Sequence, residues 1–237
     1  MNMNVLLIGA ETQLGLAVEG IAQGSRHSWI KADAVEMSDD RAFESFLDLN
    51  DINVVVNCSY EGRSVSETAA ICRRNGVRLI QVTEDTSLEL NDVSGVILLR
   101  TSWLYGIEGH DFVKEIIEQT ADQPLLSVPS DQIGAPTFAD DLAELIVRII
   151  EEGNSDREGI YDYTDEGVCS LYDFAHEICA MTGHLCEVLP CASDEDSGQS
   201  PYMNIADRTP VKEVFGISIP YWRDSLMVCI NALNNKE

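Results

Sequence analysis

Met3-Asn4-Val5-Leu6-Leu7-Ile8-Gly9-Ala10-Glu11-Thr12-Gln13-Leu14-Gly15 is an apolar run closed by a glycine and followed by a helical pattern from Thr12 to Ala22. The run Met3 to Ile8 predicts a buried strand, and Gly9 supplies the tight turn into the helix. A strand, a glycine turn and a helix in that order open a doubly wound parallel sheet. The rest of the chain is read outward from this unit.

A second strand is predicted at Ser28 to Ala32. Ser38 then precedes a helix from Asp40 to Leu49 whose Phe43, Phe46 and Leu47 share one face. Asn53 to Val56 reads as a short strand covered on both faces, because its valines are consecutive rather than alternating. A helix from Val65 to Asn75 stops at Gly76, where a left-handed cap is easy. Strands follow at Val77 to Val82 and Gly95 to Arg100. The link between them, Thr83 to Ser94, barely reaches the dozen residues that a parallel crossover needs. It has room for one or two helical turns.

Beyond Trp103 the pattern changes. Helices are predicted at His110 to Thr120, Phe138 to Glu152, Leu171 to Thr182 behind the cap Ser170, and Tyr221 to Leu233. Short strands are predicted at Leu125 to Val128, Ile160 to Tyr163 and Cys186 to Leu189, with Pro129 to Pro136 as a loop and Ser193 to Ser200 as an acidic surface loop. The expected architecture is α/β. A Rossmann-type doubly wound domain spans residues 1–102 and 137–165, and a small C-terminal α/β lobe takes 103–136 and 166–237.

The composition, 45% hydrophobic and 24% charged over 237 residues, suits a globular protein with a full core. Forty-one acidic residues against 15 basic ones leave a net charge of -26, which opposes binding to nucleic acid or to an anionic membrane. No apolar run approaches membrane-spanning length, and the N-terminus lacks a basic region followed by an apolar one. Seven cysteines without a Cys-x-x-Cys pair fit a reducing compartment, so a cytoplasmic protein is expected. Cys58 and Cys229 read as core residues. His176, Cys179, His184, Cys186 and Cys191 are all zinc-type ligands close together. Their places on an amphipathic helix and at a strand start favour burial, and no metal is expected.

Three stretches together resemble the dTDP-4-dehydrorhamnose reductase family of extended short-chain dehydrogenases. The first is Leu99-Arg100-Thr101-Ser102-Trp103-Leu104-Tyr105-Gly106 with Asp111-Phe112-Val113. The second is Asp131-Gln132-Ile133-Gly134-Ala135-Pro136-Thr137 with Asp141-Leu142-Ala143. The third runs through Gly159-Ile160-Tyr161, Ser170 to Ala175, Phe215-Gly216-Ile217 and Pro220-Tyr221-Trp222-Arg223. The N-terminal half is similar more loosely, through Gly9 to Gly15 and Asn57-Cys58-Ser59-Tyr60. The resemblance implies an NADP- or NAD-dependent reductase of a nucleotide-linked 4-keto sugar. It assigns Gly9, Thr12, Gln13, Leu14, Gly15, Asn57, Ser59 and Tyr60 to the dinucleotide, and Trp103, Gln132 and Thr137 to the sugar cleft. Two basic positions of the family read Ser200 and Pro210 here, which leaves Arg208 as the substitute for gripping a diphosphate.

The residues depart from that pattern where the chemistry lies. A dinucleotide turn uses its first glycine for tightness, its middle one for phosphate approach and its last for helix packing. Here the middle one is Thr12, and Glu11 adds a negative charge. The turn is read either as a residual cofactor site or as a well-capped strand–helix turn. Lys31 is the one nearby candidate for a 2′-phosphate, while Arg63, Arg73 and Arg74 read as solvated helix charges.

Family reductases protonate the sugar oxygen with a tyrosine whose pKa is lowered by a lysine one helical turn on. The residues four after the tyrosines at 60, 105, 161, 163, 172, 202 and 221 are Ser64, Gly109, Asp165, Gly167, His176, Ala206 and Ser225. None is lysine, and the family places the pair where this chain has its short link. The family's Ser-Thr-Asp triplet reads Thr83-Glu84-Asp85, so a carboxylate stands where an alkoxide would develop. Tyr172 and His176 have helical spacing but fall on the lobe. Trp103 is read either as a sugar platform or as lobe packing.

No catalytic residue is therefore assigned. The leading expectation is a catalytically impaired relative that binds a nucleotide, a sugar nucleotide or a protein. An active reductase and a structural or regulatory subunit are the alternatives. The short link also predicts a thinned helical layer, and with it a homo-oligomer or a protein partner on the uncovered face.

Overall fold

The computed structural model describes residues 2–32, 39–59, 63–88, 95–194 and 201–235. Ser38, Tyr60, half of the link between the fourth and fifth strands and the end of the acidic loop lie outside them. The first half alternates as expected: β1 (Asn4–Ile8), α1 (Gln13–Ala22), β2 (Ser28–Ala32), α2 (Asp40–Leu49), β3 (Ile52–Asn57), α3 (Val65–Arg74), β4 (Arg78–Thr83) and β5 (Val96–Arg100). Each helix start has a polar cap. Thr12 opens α1, Asp39 opens α2, and Ser64 forms a capping box with Glu67 on α3.

The second half holds β6 (Leu104–Tyr105), α4 (Phe112–Asp122), β7 (Leu125–Pro129), β8 (Gln132–Gly134), β9 (Thr137–Phe138), α5 (Ala139–Glu151) and β10 (Gly159–Asp162). It continues with β11 (Cys169–Ser170), α6 (Leu171–Thr182), β12 (Glu187–Cys191), β13 (Tyr202–Met203), α7 (Thr209–Phe215) and α8 (Trp222–Asn234). The predicted loop Pro129 to Pro136 thus contains a strand, and α7 appears where no helix was predicted.

The chain divides into two compact units. One comprises Met1–Thr101, Leu142–Tyr163 and Arg208–Ile217; the other comprises Ser102–Asp141, Thr164–Asp207 and Ser218–Glu237. The first carries a six-stranded sheet in the order β10-β5-β4-β3-β1-β2, with every neighbouring pair parallel. This is the doubly wound Rossmann-type arrangement, reversing direction beside β1. The segment around α7 was expected in the lobe but packs in the first unit. Its Phe215 ring meets Tyr161 of β10 at 5.0 Å, and Arg148 donates to the Gly216 carbonyl at 3.2 Å.

The second unit has its own core around Tyr105, Val113, Phe138, Phe174, Ile178, Trp222 and Leu226. There β12 pairs with β7, β9 pairs with β6, and β8 lies between β11 and β13.

Among the described residues the uncovered face expected beside the short link is not found. Leu79 to Thr83 of β4 and Val96 to Leu99 of β5 are all buried. Successive strand residues point to opposite faces, so both faces are covered by the chain itself. Leu88 of the link and Ile160 of β10 pack against the cluster holding Val96 and Leu98. The oligomer or partner expectation loses the surface it named. No helix among the described residues is long and apolar enough to cross a membrane.

Candidate functional site

The C-terminal ends of β1, β3 and β4 meet at one end of the sheet, where a doubly wound fold binds its ligands. Gly9 turns there with φ 75°, and a Cβ on it would come within 2.8 Å of the Ser59 amide nitrogen. A Cβ on Gly15 would come within 2.0 Å of the Gly9 carbonyl oxygen. Both positions require glycine on steric grounds alone.

Between them Thr12 turns its hydroxyl inward. It donates to the Gly9 carbonyl at 2.7 Å and accepts from the Gly15 amide at 3.0 Å. One of the amides that a pyrophosphate would meet at the helix N-terminus is thereby already taken. The frame fits a dinucleotide at its outer positions, and at the middle one it presents a capped threonine. Glu11 is exposed at the mouth. Lys31 is ion-paired with Glu19 at 2.7 Å. Gln13 and Leu14 form the first turn of α1, with Leu14 buried.

Asn57 and Gln81 face each other across β3 and β4. The Asn57 amide donates to the Gln81 side-chain oxygen at 2.9 Å, and the Gln81 amide donates to the Val82 carbonyl at 2.8 Å. Asn57 also accepts from the Ser59 amide at 3.0 Å, which fixes the chain leaving β3. Such a buried polar pair is tolerated because each member finds a partner.

A cavity of about 350 Å³ opens beside it, lined among others by Ser59, Arg63, Ser64, Gln81, Thr83 and Asp85. Arg63 was read as a solvated helix charge, and the structure corrects this. Its side chain is only 9% exposed, pairs with Asp40 and lies over the Phe43 ring at 5.9 Å. An arginine just ahead of a capped helix, twenty residues from an aromatic helix face, carries no local signal of that burial. Gln81 was also missed, although a polar residue inside an apolar strand was a visible cue.

The start of the link is a pair of tight turns. The Asp85 amide donates to the Thr83 hydroxyl at 3.0 Å, and Asp85 in turn accepts from the Ser87 amide and hydroxyl at 2.8 and 2.6 Å. The Ser87 hydroxyl and amide hold the Asp85 carboxyl below the usual carboxylate range, so it is ionised at neutral pH. Arg100 grips Asp162 through two nitrogens at 2.7 and 3.0 Å and donates to the Thr86 carbonyl at 3.3 Å. The end of β4 is therefore closed down and negative.

In the second unit Trp103 has a left-handed backbone, φ 48°. Its ring stacks on Phe174 at 6.5 Å, its N–H donates to the Tyr202 hydroxyl at 2.5 Å, and a Cβ on Gly134 would touch it at 3.0 Å. Gln132 is buried, with its amide on the Ser193 hydroxyl at 3.1 Å. Thr137 is fully buried and donates to the Ser102 carbonyl at 2.8 Å, so it offers no surface to a ligand in this conformation. Arg208, at the start of α7, belongs to the first unit rather than to that of the other three. Tyr60 lies outside the described residues. No set of three or more His, Cys, Asp or Glu side chains among the described residues is placed to hold a metal.

Comparison with known proteins adds a family. The family described as RmlD substrate binding domain matches residues 87–235. The spore coat polysaccharide biosynthesis protein SpsK of Bacillus subtilis is 31% identical over 65% of this chain. A dTDP-4-dehydrorhamnose reductase of Aggregatibacter actinomycetemcomitans is 33% identical over 55%. These alignments take in 50% and 48% of the two relatives, so the chain matches about half their length. A dTDP-4-keto-6-deoxy-D-glucose reductase of Streptomyces niveus aligns over 98% of both chains at 23% identity. That alignment has 286 positions, more than this chain has residues, so it opens gaps in this chain.

Among solved structures, a dTDP-4-dehydrorhamnose reductase from Clostridium acetobutylicum has a TM-score of 0.85 at 25% identity, covering 98% of this chain and 100% of that one. A Bacillus anthracis dTDP-4-dehydrorhamnose reductase in complex with NADP has a TM-score of 0.84 at 19% identity, covering 98% and 99%, and shares the fold.

Proposed function

This chain belongs to the RmlD substrate binding domain family, and on that premise we propose that it is a dTDP-4-dehydrorhamnose reductase-like protein that binds a nucleotide or nucleotide-linked sugar without reducing it. The observation that carries this reading is the missing proton donor: nowhere in the chain does a lysine follow a tyrosine by four residues. Hydride transfer to a carbonyl needs an acid at the oxygen. Where the family sets a Ser-Thr-Asp triplet, the chain has Thr83-Glu84-Asp85, so the Glu84 carboxylate stands in place of the family's threonine. A fixed negative charge there opposes a developing alkoxide. The short connection from β4 to β5 supports the same reading, since Arg100 and Leu88 tie it down against the sheet.

The ligand is a sugar nucleotide or a dinucleotide, NADP or NAD, bound weakly because Thr12 occupies the phosphate approach. Gly9, Gly15, Asn57 and Ser59 are the dinucleotide candidates of the first unit, and Trp103 and Gln132 are the sugar candidates of the second. A cytoplasmic location fits the cysteine content. The active reductase stays as a second reading, because relatives that the chain matches are named dTDP-4-dehydrorhamnose reductases.

The test is calorimetric titration of the full chain with NADPH, NADH and a dTDP-linked sugar, followed by a turnover assay with a dTDP-linked 4-keto sugar and saturating NADPH. Binding of the sugar nucleotide without NADPH oxidation is expected. Measured oxidation coupled to sugar reduction overturns the non-catalytic reading. A complete absence of binding overturns the ligand and leaves a structural role.

A further inference from the structure

The cysteines near the end of α6 are placed for chemistry other than metal binding. The helix ends at Gly183, whose left-handed backbone, φ 72°, reverses the chain. The turn that follows folds back over the last helical turn. There the Cys179 sulfur lies 3.4 Å from the Cys186 carbonyl oxygen and 3.6 Å from that of His184. A carbonyl oxygen sits about 2.4 Å from its own Cα, which puts the Cys179 sulfur within about 6 Å of the Cys186 Cα. Cys179 is a member of the second unit's apolar core, and Cys186 packs against that same core. Burial raises the Cys179 thiol pKa, and the neighbouring Cys186 adds to the rise.

We propose that Cys179 and Cys186 form a reversible disulfide that locks the end of α6 to the start of β12. Disulfide geometry then requires the Cys186 sulfur, now 3.9 Å from the Glu187 carbonyl oxygen, to rotate toward the Cys179 sulfur with a small backbone adjustment. Cys186, the half-exposed member, attacks one sulfur of glutathione disulfide as its thiolate and expels one glutathione thiolate. Cys179 then loses its proton to solvent, attacks the Cys186 sulfur of the mixed disulfide and expels the second glutathione. Two protein thiols are oxidised, and one glutathione disulfide is reduced to two thiols.

The other cysteines do not compete. Cys58, Cys72, Cys169 and Cys229 are buried, and burial pushes the thiols of Cys72, Cys169 and Cys229 up to about 12. Cys191 sits at the far end of β12, about 16 Å along the strand from Cys186. This inference is independent of the ligand reading, because it concerns no group assigned to the ligand.

The experiment equilibrates the reduced full chain with glutathione disulfide, unfolds it, alkylates the remaining thiols and maps the peptides. A cross-link between Cys179 and Cys186 is expected, with the other five cysteines alkylated and a raised unfolding midpoint for the oxidised protein. Cys186→Ser, at a half-exposed site, removes both the cross-link and the shift, whereas Cys191→Ser keeps both. Recovery of Cys186 as a glutathione adduct beside alkylated Cys179, a link from Cys186 to Cys191, or alkylation of all seven cysteines overturns the proposal.

Discussion

The turn after β1 and the link after β4 leave the same end of one parallel sheet, yet they answer to different demands. In the turn, Gly9 and Gly15 are enforced by neighbouring backbone, since any side chain would collide with Ser59 or with Gly9 itself. Their presence follows from folding whether or not a dinucleotide binds. The link carries no such constraint: it must only reconnect β4 to β5 and cover Val96 and Leu98, which a short segment with Leu88 helps to do. Glycines are thus poor witnesses to cofactor binding here. The comparison explains how a chain can keep the outline of a dinucleotide fold whatever its link contains.

The strongest way to break that comparison is Gly15→Ala. A Cβ placed 2.0 Å from a carbonyl oxygen forces α1 off the sheet. We expect a loss of about 3 kcal/mol or more, read as a lower urea midpoint at unchanged slope. An alanine variant as stable as the parent would mean that glycine is retained for a ligand and not for packing.

Arg100→Ala probes the link. The Arg100–Asp162 pair is largely buried, with side chains 24% and 22% exposed. Its loss is expected to cost about 1–2 kcal/mol, with faster hydrogen exchange over residues 84–88 as the Thr86 tie is released. Unchanged exchange there would show that the link is held by something other than this clasp.

Thr12→Gly has the smallest effect on stability and sharpens the comparison most. A glycine at a helix N-cap costs only a few tenths of a kcal/mol, or about that. It also frees the Gly15 amide and clears the middle of the turn. NADPH affinity is expected to rise about tenfold by calorimetry. If affinity stays flat, the obstacle lies elsewhere, with Glu11 as the next residue to change.

Much of this fold was legible because its signals are local and repeated. The β1 turn, the α2 face of Phe43 and Leu47, and the Ser170 cap of α6 each combine a period with a punctuating residue. Strands of two or three residues such as β6, β9, β11 and β13 are too short to show a period, and they exist through their partners in the sheet. The seven-residue α7 did leave a signal. Pro210 in its first turn and Gly216, left-handed at φ 59°, just past its end mark a short helix. Reading Pro210 only as a lost lysine obscured it.

The candidate site divides the same way. Gly9, Thr12, Asn57 and Ser59 come together at the sheet end as their sequence positions imply, because strand ends in a parallel sheet share an edge. The burial of Arg63 and the closed-down link arise from contacts distant in sequence, which no local pattern reports.

Trp103 sits on Gly134 with its ring against Phe174 and its N–H engaged by Tyr202. An indole fixed so tightly in the second unit is a native optical probe. Of the three tryptophans, Trp222 is buried in the core and Trp29 belongs to the other unit. Emission from position 103 therefore reports on any molecule that reaches this aromatic shelf, without a label being attached.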